Sequence, residues 1–384
     1  MRQVAPDWSD RVGGGTPGRH PALRALGWFW LAALVLMGAG AGGLEYLGPP
    51  APRSLAAPKP PAAPTPAPLA APPAPASAAP PPVPALPAKP VHFEGAPASP
   101  APQSGGPIAA PDPALLEASA TYPGTMLPRI SADRRSPMSV YAAAAPPADG
   151  RPRVALMLTG VGMLASEDEV AVRSTPAAVS LAFSPYAYHP EPLLQQARTL
   201  GHEALVSLPM EPAGYPLNNP GAHALLTGDA PALNLQQLDW SLTRFTGYVG
   251  VTGAMGNLRG EGFGGNPTLM QPVLAELAQR GLLYIDARPG APHPAMAVGR
   301  AVDLVIDEPA VRTEIDAKLA QLEVLARAHG SAIGLAGPPR PVTVARINAW
   351  ANGLAARGFV LVPVSAAATM VPPARSGPAA VAAP

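Results

Sequence analysis

The chain has no cysteine in its 384 residues, which removes disulfides, thiolate nucleophiles and cysteine-ligated zinc from consideration. Aromatic residues make up only 5% of the total, so any surface for stacking sugar rings is small. Charged residues are 13%, the net charge is +1 and the basic residues do not cluster, which leaves no electrostatic footprint for a nucleic-acid partner. The seven histidines show no metal-ligand spacing. No glycine-rich phosphate loop follows an apolar run.

Proline, by contrast, is abundant: more than half of the 56 prolines fall between Pro49 and Pro147. Proline has no amide donor and fixes φ, so such a stretch favours extended polyproline II without a core. The composition therefore predicts a disordered Pro/Ala-rich tether over 48–150, a spacer with a reach on the order of 300 Å if fully extended. A second disordered tail is expected over 371–384.

Before the tether, residues 27–44 read GWFWLAALVLMGAGAGGL without a charge. At ~1.5 Å per residue that run spans ~27 Å, close to the hydrocarbon thickness of a bilayer. Trp28 and Trp30 stand at its start, Arg11, Arg19 and Arg24 precede it, and the first charge after it is Glu45. The positive-inside rule then gives a cytoplasmic tail at 1–26, a transmembrane helix at 27–47 and everything after it outside the cytoplasm. The competing reading is a cleaved signal peptide, for which the small residues at 38–43 offer a site.

From about residue 151 to 370 the pattern changes to that of one folded domain. Apolar runs at 154–158, 178–183, 203–208, 248–252, 282–286, 302–307, 332–336 and 359–364 lack in/out alternation, as parallel strands covered on both faces do. Helical stretches at 190–200, 234–245, 267–280, 310–329 and 342–357 separate them, several stopping at a glycine (Gly201, Gly281, Gly330, Gly358), and Asn234 reads as an N-cap. Repeated strand–helix units predict an α/β domain, a distorted (β/α)7–8 barrel, with an open doubly wound sheet as the alternative.

Barrel chemistry sits at the strands' C-terminal ends. Glu211 and Asp286 are the candidate catalytic carboxylates there, and each equally suits a rim position accepting loop amides, with Arg288 neutralising Asp286. Tyr186, Arg288 and Asn257 are candidate substrate contacts. Trp240, Tyr215 and Tyr248 are the other aromatics within reach of a sugar. His202 precedes its strand, so it belongs at the opposite end of the barrel in a structural role.

The blocks VALMLTGVG, LAFSPYA, ARTLGHEALVSLPMEPAGYP, RFTGYVGVTGAMG, RGLLYID and RGFVLVPVSA, in that order, resemble the divergent polysaccharide deacetylases, relatives of metal-dependent carbohydrate esterases. The resemblance covers about 153–366 and implies a distorted barrel of the deacetylase type. It also implies a divalent metal such as zinc in relatives, held by paired aspartates after the first strand and by histidines in three later motifs. Here the corresponding positions are Thr159 and Gly160, Ser207, Ala254 and Gly337. A hydrolytic zinc needs about three protein ligands, and these residues offer no such set, so neither metal nor other cofactor is expected. The expectation is a single-pass inner-membrane protein with its domain in the periplasm. It would act in carbohydrate metabolism of the cell envelope as a degenerate enzyme binding peptidoglycan, another glycan or an envelope partner. The alternative is an active deacetylase working through Glu211, Asp286 and Arg288.

Overall fold

The computed structural model describes residues 105–369. The expected cytoplasmic tail, transmembrane helix, first part of the tether and C-terminal tail lie outside them. Among the described residues no helix is long and apolar enough to cross a membrane.

The sequence boundary at 151 is too late, because residues 105–150 are part of the folded body. Asp112 caps a 3-10 turn, Pro113–Leu115, by accepting from the Ala114 amide. Strand β1, Leu116–Ala118, pairs antiparallel with β2, Met126–Pro128. Helix α1, Pro137–Tyr141, starts in a capping box formed by Ser136 and Ser139. Pro113 and Pro137 sit in first turns, where a missing amide costs nothing. Leu115, Leu127 and Tyr141 are buried. Arg280 donates to the Pro128 carbonyl and pairs with Glu117, and the Tyr141 hydroxyl accepts from the Asp112 amide. A few buried anchors thus order a segment whose average composition reads as linker.

The domain is an α/β fold around one curled, all-parallel sheet. Its strands are β3 (Arg153–Val161), β4 (Ser180–Phe183), β5 (Ala204–Ser207), β6 (Gly250–Thr252), β7 (Leu283–Asp286), β8 (Gly299–Ala301), β9 (Leu304–Val305), β10 (Ser331–Ala336) and β11 (Val360–Leu361). The order is β8-β7-β6-β5-β4-β3-β10-β9, with β11 also beside β3. Val302 and Asp303 join β8 to β9, so one stretch of chain pairs with β7 at its start and with β10 at its end. Each of the eight apolar runs holds a strand. Within this sheet only β8, whose Gly-Arg-Ala sequence carries no apolar signal, escapes prediction.

Helices α2 (Ala165–Ser174), α3 (Glu191–Leu200), α4 (Pro231–Leu242), α5 (Glu261–Gly264), α6 (Pro267–Gln279), α7 (Arg312–His329) and α8 (Pro341–Asn352) follow in chain order, and α9 (Val364–Ala368) ends the described chain. Asn234 is not an N-cap. It lies inside α4, where its side chain accepts from the Leu226 amide and donates to the Leu226 carbonyl, holding the preceding loop.

Alternate residues of each strand enter two separate cores. Leu156, Leu158, Leu181, Val206 and Val251 pack with the helices. Ala155, Met157, Ala182, Leu205, Leu283 and Leu335 fill the concave side, together with Leu115, Tyr141 and Val364. At the strands' N-terminal ends the wholly buried Glu203 accepts from Ser180, from the amide and hydroxyl of Ser365, and from the Ala143 amide. That carboxylate ties α9 and the N-terminal segment to the floor of the sheet.

Candidate functional site

The C-terminal ends of β3, β6 and β10 meet over the concave core. The Thr159 hydroxyl lies 3.1 Å from the carbonyls of both Gly256 and Ala336 and donates its one proton between them. Gly160 holds φ +72, and a Cβ there would stand 3.3 Å from the Gly256 Cα and 3.5 Å from the Pro338 Cα. Backbone from two other loops therefore occupies the place where a side chain at 160 would project. At Gly337 a Cβ would come within 2.6 Å of the Asn257 Oδ1, so Asn257 fills that space. Ala254 is fully buried and its amide donates to Thr252. Ser207 is fully buried, and its hydroxyl has no partner among the described residues.

This donor set does not fit a divalent ion. Two of the five positions have no side chain, one is a methyl, and the Thr159 hydroxyl is committed to carbonyls. Among the described residues no group of three or more His, Asp or Glu is placed to hold a metal.

The candidate carboxylates each serve their own neighbours. Both oxygens of Asp286 are engaged by Arg288: Oδ1 accepts from the Arg288 amide and Nε, each at 3.0 Å, and Oδ2 from Nη2 at 2.6 Å. The carboxylate holds the guanidinium pKa above its ordinary value. Glu211 accepts from the Thr227 amide at 2.7 Å and from its hydroxyl at 2.9 Å, closing the loop between β5 and α4. Asp286 and Arg288 do line a cleft of about 520 Å3, whose walls include Tyr284, Met270, Met296 and His293. Asp307, at the rim beside Gly337, is buried and accepts from the Gly337 amide and the Thr343 hydroxyl. Burial raises its pKa against those two bonds.

Tyr186 joins an aromatic group that the sequence does not announce. His223 stacks on Trp240 at 3.7 Å, Tyr186 lies 5.1 Å from Trp240, and Arg244 sits over the same indole at 5.2 Å. The Tyr186 hydroxyl accepts from the His223 amide. Trp240 is thus enclosed by its own neighbours instead of presenting a free face. Tyr248 is buried with its hydroxyl donating to the Leu242 carbonyl, so it cannot touch a ligand. Tyr215 is 38% exposed. His202 lies at the opposite end, as expected, its ring nitrogens 2.8 and 3.0 Å from the Val179 and Val172 carbonyls. Asp168 is the residue that sequence reasoning misses. It stands in an acidic SEDE run that reads as a solvated helix start, yet it is fully buried.

Comparison with known proteins agrees with this architecture. A sequence model of the divergent polysaccharide deacetylases matches residues 156–368. An uncharacterized protein of Haemophilus influenzae is 24% identical over 210 residues, 53% of this chain and 72% of that protein. The crystal structure of an uncharacterized protein from Agrobacterium tumefaciens C58 superposes with a TM-score of 0.57 at 32% identity, covering 63% of this chain and 99% of that one. With the match spanning the whole curled sheet from β3 to α9, the chain belongs to the divergent polysaccharide deacetylase family.

Proposed function

We propose that this protein is a catalytically degenerate deacetylase-fold protein, anchored in the inner membrane, whose periplasmic domain binds peptidoglycan or a related envelope glycan. The closed mouth carries the reading. At Gly160 a side chain would crowd the Gly256 backbone, and at Gly337 the Asn257 side chain stands where one would project. Metal-assisted hydrolysis requires ligands around an ion with an open position, and the residues at this mouth supply neither. Asp286 and Glu211 do not replace that chemistry as a pair, because each is held by its own neighbour, Asp286 in a two-pronged ion pair with Arg288 and Glu211 by the amide and hydroxyl of Thr227.

The anchoring half of the proposal rests on the uncharged run at 27–44 and the arginines before it. The folded body begins at the floor of the sheet, where the Ile108 amide donates to the Arg198 carbonyl at the end of α3.

The test is sedimentation of full-length protein with purified peptidoglycan, alongside acetate release from N-acetylated oligosaccharides with divalent metal added. Retention on the glycan without acetate release is expected. Turnover that disappears in Asp286→Ala would establish the alternative, an active enzyme working from the cleft beside Arg288.

A further inference from the structure

Tyr284 and Asp286 stand two apart on β7 and so share one face of it, the face on which Tyr284 packs with the helices. Both line the cleft of about 520 Å3 that lies between α6 and the loop joining β7 to β8. One end of this cleft is polar. Tyr284 is only 2% exposed, yet its hydroxyl makes no hydrogen bond among the described residues. A buried tyrosine hydroxyl ordinarily finds an acceptor, and one without is left short of a bond. Unlike the Ser207 hydroxyl, it is not sealed from solvent. Burial, with the Asp286 charge beside it, pushes its pKa up, so it stays a protonated donor.

Arg288 adds further donors. Its Nε and Nη2 go to Asp286, whereas Nη1 has no partner among the described residues, and the side chain is partly exposed. The guanidinium charge is balanced by the carboxylate 2.6 Å away. This end of the cleft therefore offers donors without net charge, which suits a neutral acceptor such as a carbonyl oxygen. A carboxylate would bring an uncompensated charge beside Asp286, and an ammonium would set donors against donors.

The rest of the cleft is apolar. Met270 and Leu274 of α6 form one wall, and Pro292, Pro294 and Met296 of the loop form the other. Met270 and Leu274 are buried while Met296 is 48% exposed, so the apolar lining runs from the polar end out to solvent. Methionine side chains adapt to irregular apolar partners, and a few placed polar groups at one end of an apolar cleft fix a ligand's orientation.

We propose that this cleft binds an acyl amide, the carbonyl oxygen accepting from Tyr284 and Arg288 and the alkyl chain lying along Met270, Leu274 and Met296. Acyl binding here is independent of whether the protein also holds a glycan. The test is photolabelling of the full-length chain with an octanamide whose far end carries a diazirine, read by mass spectrometry and by competition with unlabelled compounds. Label is expected within 264–274 and 292–296. Octanamide is expected to compete about tenfold better than octanoate or octylamine. Hexanamide should be about fifteenfold weaker than octanamide, as the loss of two buried methylenes at ~0.8 kcal/mol each gives.

Tyr284→Phe keeps the ring and removes a hydroxyl that bonds to nothing in the free protein. It is expected to leave the unfolding midpoint unchanged and to weaken octanamide competition severalfold. Met296→Glu, at a half-exposed position, is expected to weaken it as well. Label found only outside these two segments, or unaffected by excess octanamide, overturns the site. Octanoate or octylamine competing as well as octanamide overturns the neutral carbonyl as the group recognised, and wild-type competition in both variants overturns the assigned contacts.

Discussion

Replacing Gly160 with alanine tests how tightly the mouth is closed. The residue holds φ +72, where an L-side chain costs roughly 1–2 kcal/mol. Its Cβ would also stand 3.3 Å from the Gly256 Cα, so the loop after β6 must give by a few tenths of an ångström, and overpacking of this kind costs ~1–3 kcal/mol. The sum is ~2–5 kcal/mol, or a fall in Tm of ~5–15 °C for a domain of this size. Gly124, in the turn between β1 and β2, separates the two causes. It holds φ +83, and a methyl added there would have nothing within 4 Å, so Gly124→Ala carries only the backbone cost. The assay is thermal unfolding followed by circular dichroism on both variants and the wild type. If Gly160→Ala loses no more than Gly124→Ala, the loops after β6 and β10 do not pack over β3, and the argument that a ligand side chain has no room at 160 is refuted.

Truncation offers a second test: protein beginning at residue 151 is expected to be strongly destabilised relative to protein beginning at 105, because it lacks Leu115 and Tyr141, and Leu115→Ala alone should cost ~2–5 kcal/mol by urea unfolding. Burial raises the Glu203 pKa, so its contribution is fully present below the ordinary carboxylate value and is lost as pH rises through the folded one. The stability gap between wild type and Glu203→Gln is therefore expected to narrow from acid to neutral pH in denaturation series. His202 runs the other way. Burial depresses its pKa despite the two backbone carbonyls, so its share of stability is present above the unfolded value of 6.5 and lost as pH falls through the folded one. Unfolding midpoints measured from pH 7 downward should fall less steeply in His202→Asn than in wild type.

Much of the sheet was legible because β3, β5, β7 and β10 are continuous apolar runs, a pattern that burial on both faces imposes. Helix α2 was not, since ASEDEVAVRS is polar along most of its length and buries only Asp168, Ala171 and Val172. The segment at 105–150 was hidden for a related reason: three anchors, Leu115, Leu127 and Tyr141, are too sparse to outweigh the prolines and alanines around them. At the mouth, the positions of Thr159, Gly160, Ser207, Ala254 and Gly337 followed from placing each at a strand end. What fills the space around them did not, because Asn257 reaches Gly337 and Gly256 reaches Gly160 across the sheet, contacts with no local signature. The same holds for Asp168, whose burial depends on amides of the loop before its helix, and for Trp240, whose faces are taken by residues from two other loops.

The central claim is that the centre of the sheet's mouth cannot seat a hydrolytic ion. Calorimetric titration of metal-stripped full-length protein with zinc, repeated with cobalt and manganese, addresses it most directly. No stoichiometric heat is expected, and Ser207→Ala should leave the trace unchanged. One equivalent of ion taken up tightly, with that uptake abolished by Ser207→Ala or Thr159→Val, would contradict the account.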